Sequence, residues 1–186
     1  TKDFDITDVI NNVCDKLVHR HPHIYADVKV KDEVDVKKNW ELLKLKEGKK
    51  SVLEGVPKSL PAIVKSFRIQ EKVRGIGFDW DNKDQVWDKV LEEIEELKDE
   101  VEKGNQDRIE SEFGDVLFAL TNYSRFINVN PEDALERTNK RFIKRFQIME
   151  KMITKKGLNL SDMKLSDMDV FWEKAKEEYY IANDID

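Results

Sequence analysis

The chain has a single cysteine, Cys14, among its 186 residues. It cannot close an intrachain disulfide, which excludes a disulfide-stapled fold and makes a reducing cytoplasm the expected compartment. No apolar run approaches the roughly 18 residues of a membrane span, and no signal-peptide core is present, so no membrane partner is expected. Strand-like alternation is scarce apart from Val28-Lys29-Val30. A basic excess is missing as well. The 33 bases against 39 acids leave a net charge of −6, which argues against a nucleic acid polymer as partner. Seven glycines and four prolines are few for this length, and several fall where helical patterns stop.

What remains is a chain that is 39% hydrophobic and 39% charged, the profile of a helical protein with solvated faces. The fold class expected is all-α. Helices are predicted from Asp8 to Arg20, ended by His21-Pro22, and from Val34 to Glu47. Residues 51–60, between Gly48 and Pro61, read as a linker. Pro61 suits a first helical turn, and that helix runs to about Arg74, where Gly75-Ile76-Gly77 breaks it. The turn Phe78-Asp79-Trp80-Asp81-Asn82, whose Asp79 and Trp80 suit a lid or pocket wall, leads into an acidic helix from Asp84 to Lys103. Further helices follow from Asp107 to Phe126, from Pro131 to Lys156 and from Ser166 to Tyr180. His19, His21 and His23 read as capping and surface residues, because Pro22 interrupts any shared helical face.

An internal repeat reorganises this picture. Residues 8–20 align with 133–145, and a Trp-Glu pair lies downstream of each copy, at Trp40-Glu41 and Trp172-Glu173. Only the second copy has acidic helices before it. The chain also begins at Thr1 without a methionine. The expectation is an excised or processed piece of something longer, opening partway through a duplicated domain: residues 1–50 as a remnant of a first repeat, 61–186 as the catalytic helical domain.

Glu92-Glu93-x-x-Glu96 and Glu112-x-x-Asp115 carry the chemistry. On a wheel of about 100° per residue, Val90, Leu91, Ile94, Leu97 and Val101 form an apolar stripe expected to face a core. Glu93, Glu96 and Glu100 fall along one flank of it. On the next helix Ile109, Phe113, Val116, Leu120 and Ile127 make the expected buried face, with Glu112 bordering it. A short Gly104-Asn105 turn favours antiparallel packing, which lets Glu93 and Glu96 meet Glu112 and Asp115. Four converging carboxylates repel unless a cation neutralises them. Mg²⁺ is hard and oxygen-loving and keeps positions open for water and phosphate, and no histidine lies at a matching position to suggest zinc. The same pattern also describes a solvated amphipathic face, and both readings stand at this point. Arg141 and Arg145 are four apart on one helix and share a face with room for phosphate oxygens, or for surface ion pairs. Trp172 suits either base stacking or core packing.

These motifs resemble the MazG nucleoside triphosphate pyrophosphohydrolases of the all-α NTP pyrophosphatase superfamily. Arg20-His21-Pro22-His23, Trp40-Glu41-x-x-Lys44, Val56-Pro57-Lys58-Ser59-Leu60-Pro61-Ala62, Ile69-Gln70-Glu71-Lys72 and Gly77-Phe78-Asp79-Trp80 are similar to the end of that family's first domain and the stretch joining its repeats. Gly114-Asp115-Val116-Leu117-Phe118-Ala119 and Asn139-x-Arg141-Phe142-x-x-Arg145-Phe146 resemble its second-domain core. The resemblance runs from about Phe4 to Tyr179. It implies a helical bundle in a homodimer that hydrolyses nucleoside triphosphates to the monophosphate and pyrophosphate with Mg²⁺, or Mn²⁺ as substitute. It also implies that Glu93, Glu96, Glu112 and Asp115 are metal ligands, with Glu92 catalytic in a role left open. Asn139, Arg141, Arg145 and Trp172 would bind the substrate. Two alternatives remain: a narrower dUTP- or phosphoribosyl-ATP-type pyrophosphatase, and a non-catalytic helical dimerisation or regulatory module.

Overall fold

A computed structural model describes residues 5–25 and 50–182, and every regular element among them is helical. The fold is all-α. The helix predicted from Val34 to Glu47, the Val28-Lys29-Val30 stretch and the Trp40-Glu41 pair lie outside the described residues. No helix among the described residues is long and apolar enough to cross a membrane. The chain separates into two compact units, Thr1–Val129 and Asn130–Asp186.

In the first unit, α1 (Ile6–Arg20) opens on a reciprocal cap: Asp5 accepts from the Asp8 N–H at 2.9 Å, and Asp8 accepts from the Asp5 N–H at 2.9 Å. Each side chain satisfies an N–H that the helix start leaves orphaned. No residue of α1 is buried, although Ile6, Ile10, Val13 and Leu17 make an apolar stripe at helical spacing. A short α2 (Pro22–Tyr25) follows. Helix α3 (Ala62–Arg74) starts one place later than expected. Pro61 is its N-cap, with φ −51° and ψ 147°, rather than a first-turn residue. That extended ψ lets the chain enter from the preceding Pro57–Leu60 turn, while the ring still pre-sets φ. The interior side of α3 carries buried Gln70, whose Nε2 donates to the Phe118 carbonyl at 2.8 Å.

Helices α4 (Lys83–Lys103) and α5 (Gln106–Phe126) form an antiparallel hairpin. Asn82 starts α4 by accepting from the N–H groups of Asp84 and Gln85 at 3.0 and 3.1 Å. Gly104 stops it at φ 73°, the left-handed conformation a side chain disfavours. Asn105 then caps α5 through the Arg108 N–H.

The faces turned inward differ from the wheel. On α4 the buried residues are Val86, Val90 and Glu93, whereas Leu91 and Val101, expected in the core, are exposed. On α5 the buried residues are Val116, Ala119, Thr121, Ser124 and Arg125. Phe113, Leu120 and Ile127, expected inside, are exposed. Apart from Arg125, the buried side chains of α5 are small, and its larger apolar groups are exposed. Trp87 and Tyr123, with ring centroids 4.9 Å apart, close one end of the hairpin.

In the second unit, Asn130 caps α6 (Pro131–Lys155) by accepting from the Glu132 and Asp133 N–H groups, with Pro131 in the first turn. A 3₁₀ turn at Leu160–Asp162, not foreseen from the sequence, leads into α7 (Leu165–Ala182). The two helices enclose a core of Met149, Ile153, Phe171 and Ala175.

Candidate metal centre

The α4–α5 hairpin determines which acids meet. Glu93 is buried on the inward face of α4, Glu96 is exposed three residues on, and Glu112 is half-buried on α5. One carboxylate oxygen from each lies within 4.8 Å of the others. Asp115 stands one turn along α5, exposed and outside that group, yet its charge acts on Glu112. Glu92 is outside that group: it is more than half exposed and shares the Lys89 ammonium with Glu93. Glu95 is solvent-exposed and pairs with Lys98 at 2.9 Å, while the more buried Glu100 pairs with Lys103 at 2.9 Å and its charge also acts on Glu112. The acids of the helix thus divide between a convergent group and side chains ion-paired with neighbouring lysines.

Electrostatics reinforce the geometry. Partial burial, followed by the charges of Glu96, Asp115 and Glu93, pushes the Glu112 carboxyl up from its ordinary value. Lys89 supplies the local counter-charge. Its Nζ lies 2.7 Å from Glu93 and 2.9 Å from Glu92, and those two bonds raise its own pKa. Sequence reasoning overlooked Lys89, although its spacing of three and four residues from the two glutamates was a visible signal. Three convergent oxygen donors with no histidine, one of them resisting ionisation, fit a hard divalent cation. Glu93, Glu96 and Glu112 can hold a metal ion.

The other expected residues lie in the second unit. Asn139 and Arg141 are exposed on α6, and Arg141 donates to Thr138 Oγ1 at 3.2 Å. Arg145 is buried. Its guanidinium sits 4.7 Å from the Tyr180 ring and 5.1 Å from that of Tyr179, and its Nε and Nη2 have no hydrogen-bond partner. Trp172 is half-buried against the α6–α7 core, 5.1 Å from Phe142. The turn before α4 holds Asp79 in ion pairs with Arg125 and Arg74, and Asp79 walls a small cavity there; Trp80 is exposed.

Residues 82–156, the stretch containing the acidic hairpin, match the MazG nucleotide pyrophosphohydrolase domain. Over 181 residues the chain is 35% identical to the nucleoside triphosphate pyrophosphohydrolase of Escherichia coli K12, covering 94% of this chain and 69% of that protein. The chain belongs to the MazG family. It is also 41% identical over 176 residues to the nucleoside triphosphate pyrophosphohydrolase/pyrophosphatase MazG of Thermotoga maritima, covering 93% of this chain and 66% of that one. A third match is the uncharacterized protein YabN of Bacillus subtilis, 46% identical over 178 residues but covered for only 36% of its length. The chain thus spans about two thirds of the length of the two relatives named as pyrophosphohydrolases.

Proposed function

We propose that this MazG-family chain hydrolyses nucleoside triphosphates to the monophosphate and pyrophosphate, with water attacking the α-phosphorus and Mg²⁺ as the metal. Mn²⁺ is the natural substitute. The observation that carries the reading is the convergence of Glu93, Glu96 and Glu112 within 4.8 Å on the hairpin. We assign the cation to these three and to Asp115, and the activity to residues 61–186. When bound, the cation would lower the pKa of a water and offset charge on the departing pyrophosphate.

The chain's own residues do the rest. The new bond joins water oxygen to the α-phosphorus, and the bond from that phosphorus to the bridging oxygen breaks. The water's proton passes to a carboxylate, Glu92 or Glu112. Lys89 holds Glu93 in place and offsets part of the charge of the acids. Arg141 and Arg145 are assigned to the triphosphate oxygens, where a planar fork binds better than a point charge. Two unpartnered nitrogens on buried Arg145 support that assignment. Asn139 joins them on the same helix, and Trp172 is assigned to the nucleotide base.

A second copy of the chain completes the proposal. Phe113, Leu117 and Leu120 lie at i, i+4 and i+7 on α5 and are all exposed. Such a seam is covered at least cost by a symmetry mate, so we propose a homodimer in a reducing cytoplasm. The test is pyrophosphate release across the common nucleoside triphosphates, dUTP and phosphoribosyl-ATP, with and without Mg²⁺. Monophosphate and pyrophosphate in equal amounts, dependent on the cation, is the expected result. No turnover with Mg²⁺ or Mn²⁺, or orthophosphate in place of pyrophosphate, would refute the reading.

A further inference from the structure

A second charged site lies at the far end of α5. A cavity of about 170 Å³ is lined by Arg74, Asp79, Arg125, Phe126 and Asn128. It is well below the roughly 300 Å³ at which pockets begin to hold drug-sized molecules, so a nucleotide does not fit. Arg125 is the central group, its side chain 4% exposed. Nη2 donates to Asp79 at 2.5 Å and Nη1 to Asn122 at 2.6 Å, while the ring of Phe126 lies 5.7 Å from the guanidinium carbon. Its Nε is buried and has no acceptor. Arg74 approaches the same Asp79 oxygen at 3.5 Å and keeps about half of its side chain in solvent.

Two guanidiniums against one carboxylate leave one positive charge, and a buried donor is left without a partner. Buried donors are almost always satisfied, by protein, water or ion. We infer that this cavity is a binding site for a small phosphate oxyanion, held by Arg125 and Arg74. Guanidinium forks match phosphate oxygens in geometry as well as charge. The volume suits orthophosphate or pyrophosphate. Arg125 and Glu112 are thirteen residues apart on one helix, or about 20 Å at 1.5 Å per residue. The site is therefore separate from the carboxylate cluster, needs no metal, and does not depend on the proposed activity.

The test is calorimetric titration of the metal-free chain, in EDTA, with orthophosphate, pyrophosphate, and chloride at matched ionic strength. Saturable binding of one anion per chain by orthophosphate or pyrophosphate is expected, and the tighter of the two identifies the source. Arg74→Gln, a half-exposed position, should weaken it at least tenfold. Arg125→Lys keeps the charge but removes the Nε donor, and should do the same with an unchanged helical circular dichroism spectrum. Lys98→Gln, at an exposed lysine paired only with Glu95, should leave the binding as it was. Absence of saturable binding, equal binding of chloride, retention in both Arg74→Gln and Arg125→Lys, or loss in Lys98→Gln would overturn the inference.

Discussion

Glu112→Gln changes the hairpin in two opposite senses, and both can be measured. It keeps the side chain's size and lowers the charge of the convergent cluster from three negatives to two. Hard-cation sites are tuned over orders of magnitude by ligand charge count, so Mg²⁺ affinity should fall roughly ten- to a hundredfold. Without a cation the sign reverses. The folded pKa of Glu112 lies above its ordinary value of 4.5. The folded protein therefore holds that proton more tightly than the unfolded chain does. The contribution of this group to stability is greatest below pH 4.5 and declines as pH rises through the folded pKa. Glutamine has no proton to lose, so the variant should be the more stable of the two at pH 7 in EDTA, and the difference should shrink as pH falls towards 4.

A saturating cation favours the ionised carboxylate and turns the slope around. With Mg²⁺ the parent should gain stability as pH rises across that window, and should exceed the variant at pH 7. Urea melts at several pH values, with EDTA or Mg²⁺, read both arms. The Mg²⁺ concentration giving half of the stabilisation should rise in the variant by the same ten- to a hundredfold. A parent that is unaffected by Mg²⁺, or a variant less stable than the parent in EDTA, would refute the reasoning. The first outcome removes the metal centre. The second makes Glu112 a structural partner.

Glu93→Gln and Asp115→Asn should each abolish pyrophosphate release while leaving the helical circular dichroism unchanged; full activity in both would remove the ligand assignment. Val90→Ala deletes two carbons from a residue with 0% exposure; at about 0.8 kcal/mol per methylene plus a cavity term, about 2 kcal/mol should be lost in a urea melt. Asp79→Ala leaves the buried Arg125 guanidinium without its carboxylate, and breaking such a pair costs about 3 kcal/mol, measured the same way. Leu117→Asp places a charge in the exposed α5 seam and should halve the mass seen by light scattering; a parent that is monomeric at micromolar concentration contradicts the dimer.

Helix ends were readable because their chemistry is local. Asn82, Asn105 and Asn130 each cap the helix that follows them, and Gly104 stops α4, within one or two residues of where the pattern indicated. The 3₁₀ turn at Leu160–Asp162 left no comparable signal, its only cue being the Asn159 side chain. Rotation of the hairpin helices was misjudged. The wheel favoured the most apolar arc, but large residues such as Phe113 and Leu91 face outward, where a further surface can cover them. Links across 46 or 48 residues, Asp79 to Arg125 and Gln70 to Phe118, carried no local mark at all.

The sequence by itself determined an all-α chain, the i,i+3 spacing of its acids and the family they belong to, since periodicity, caps and motif spacing are properties of neighbouring residues. Only the tertiary structure decided which acids are partners. The packing of α4 with α5 buries Glu93, brings Glu96 and Glu112 to it and leaves Glu92 exposed on the Lys89 it shares with Glu93. That selection depends on the rotation of one helix against another, which is set by the fit of both surfaces together.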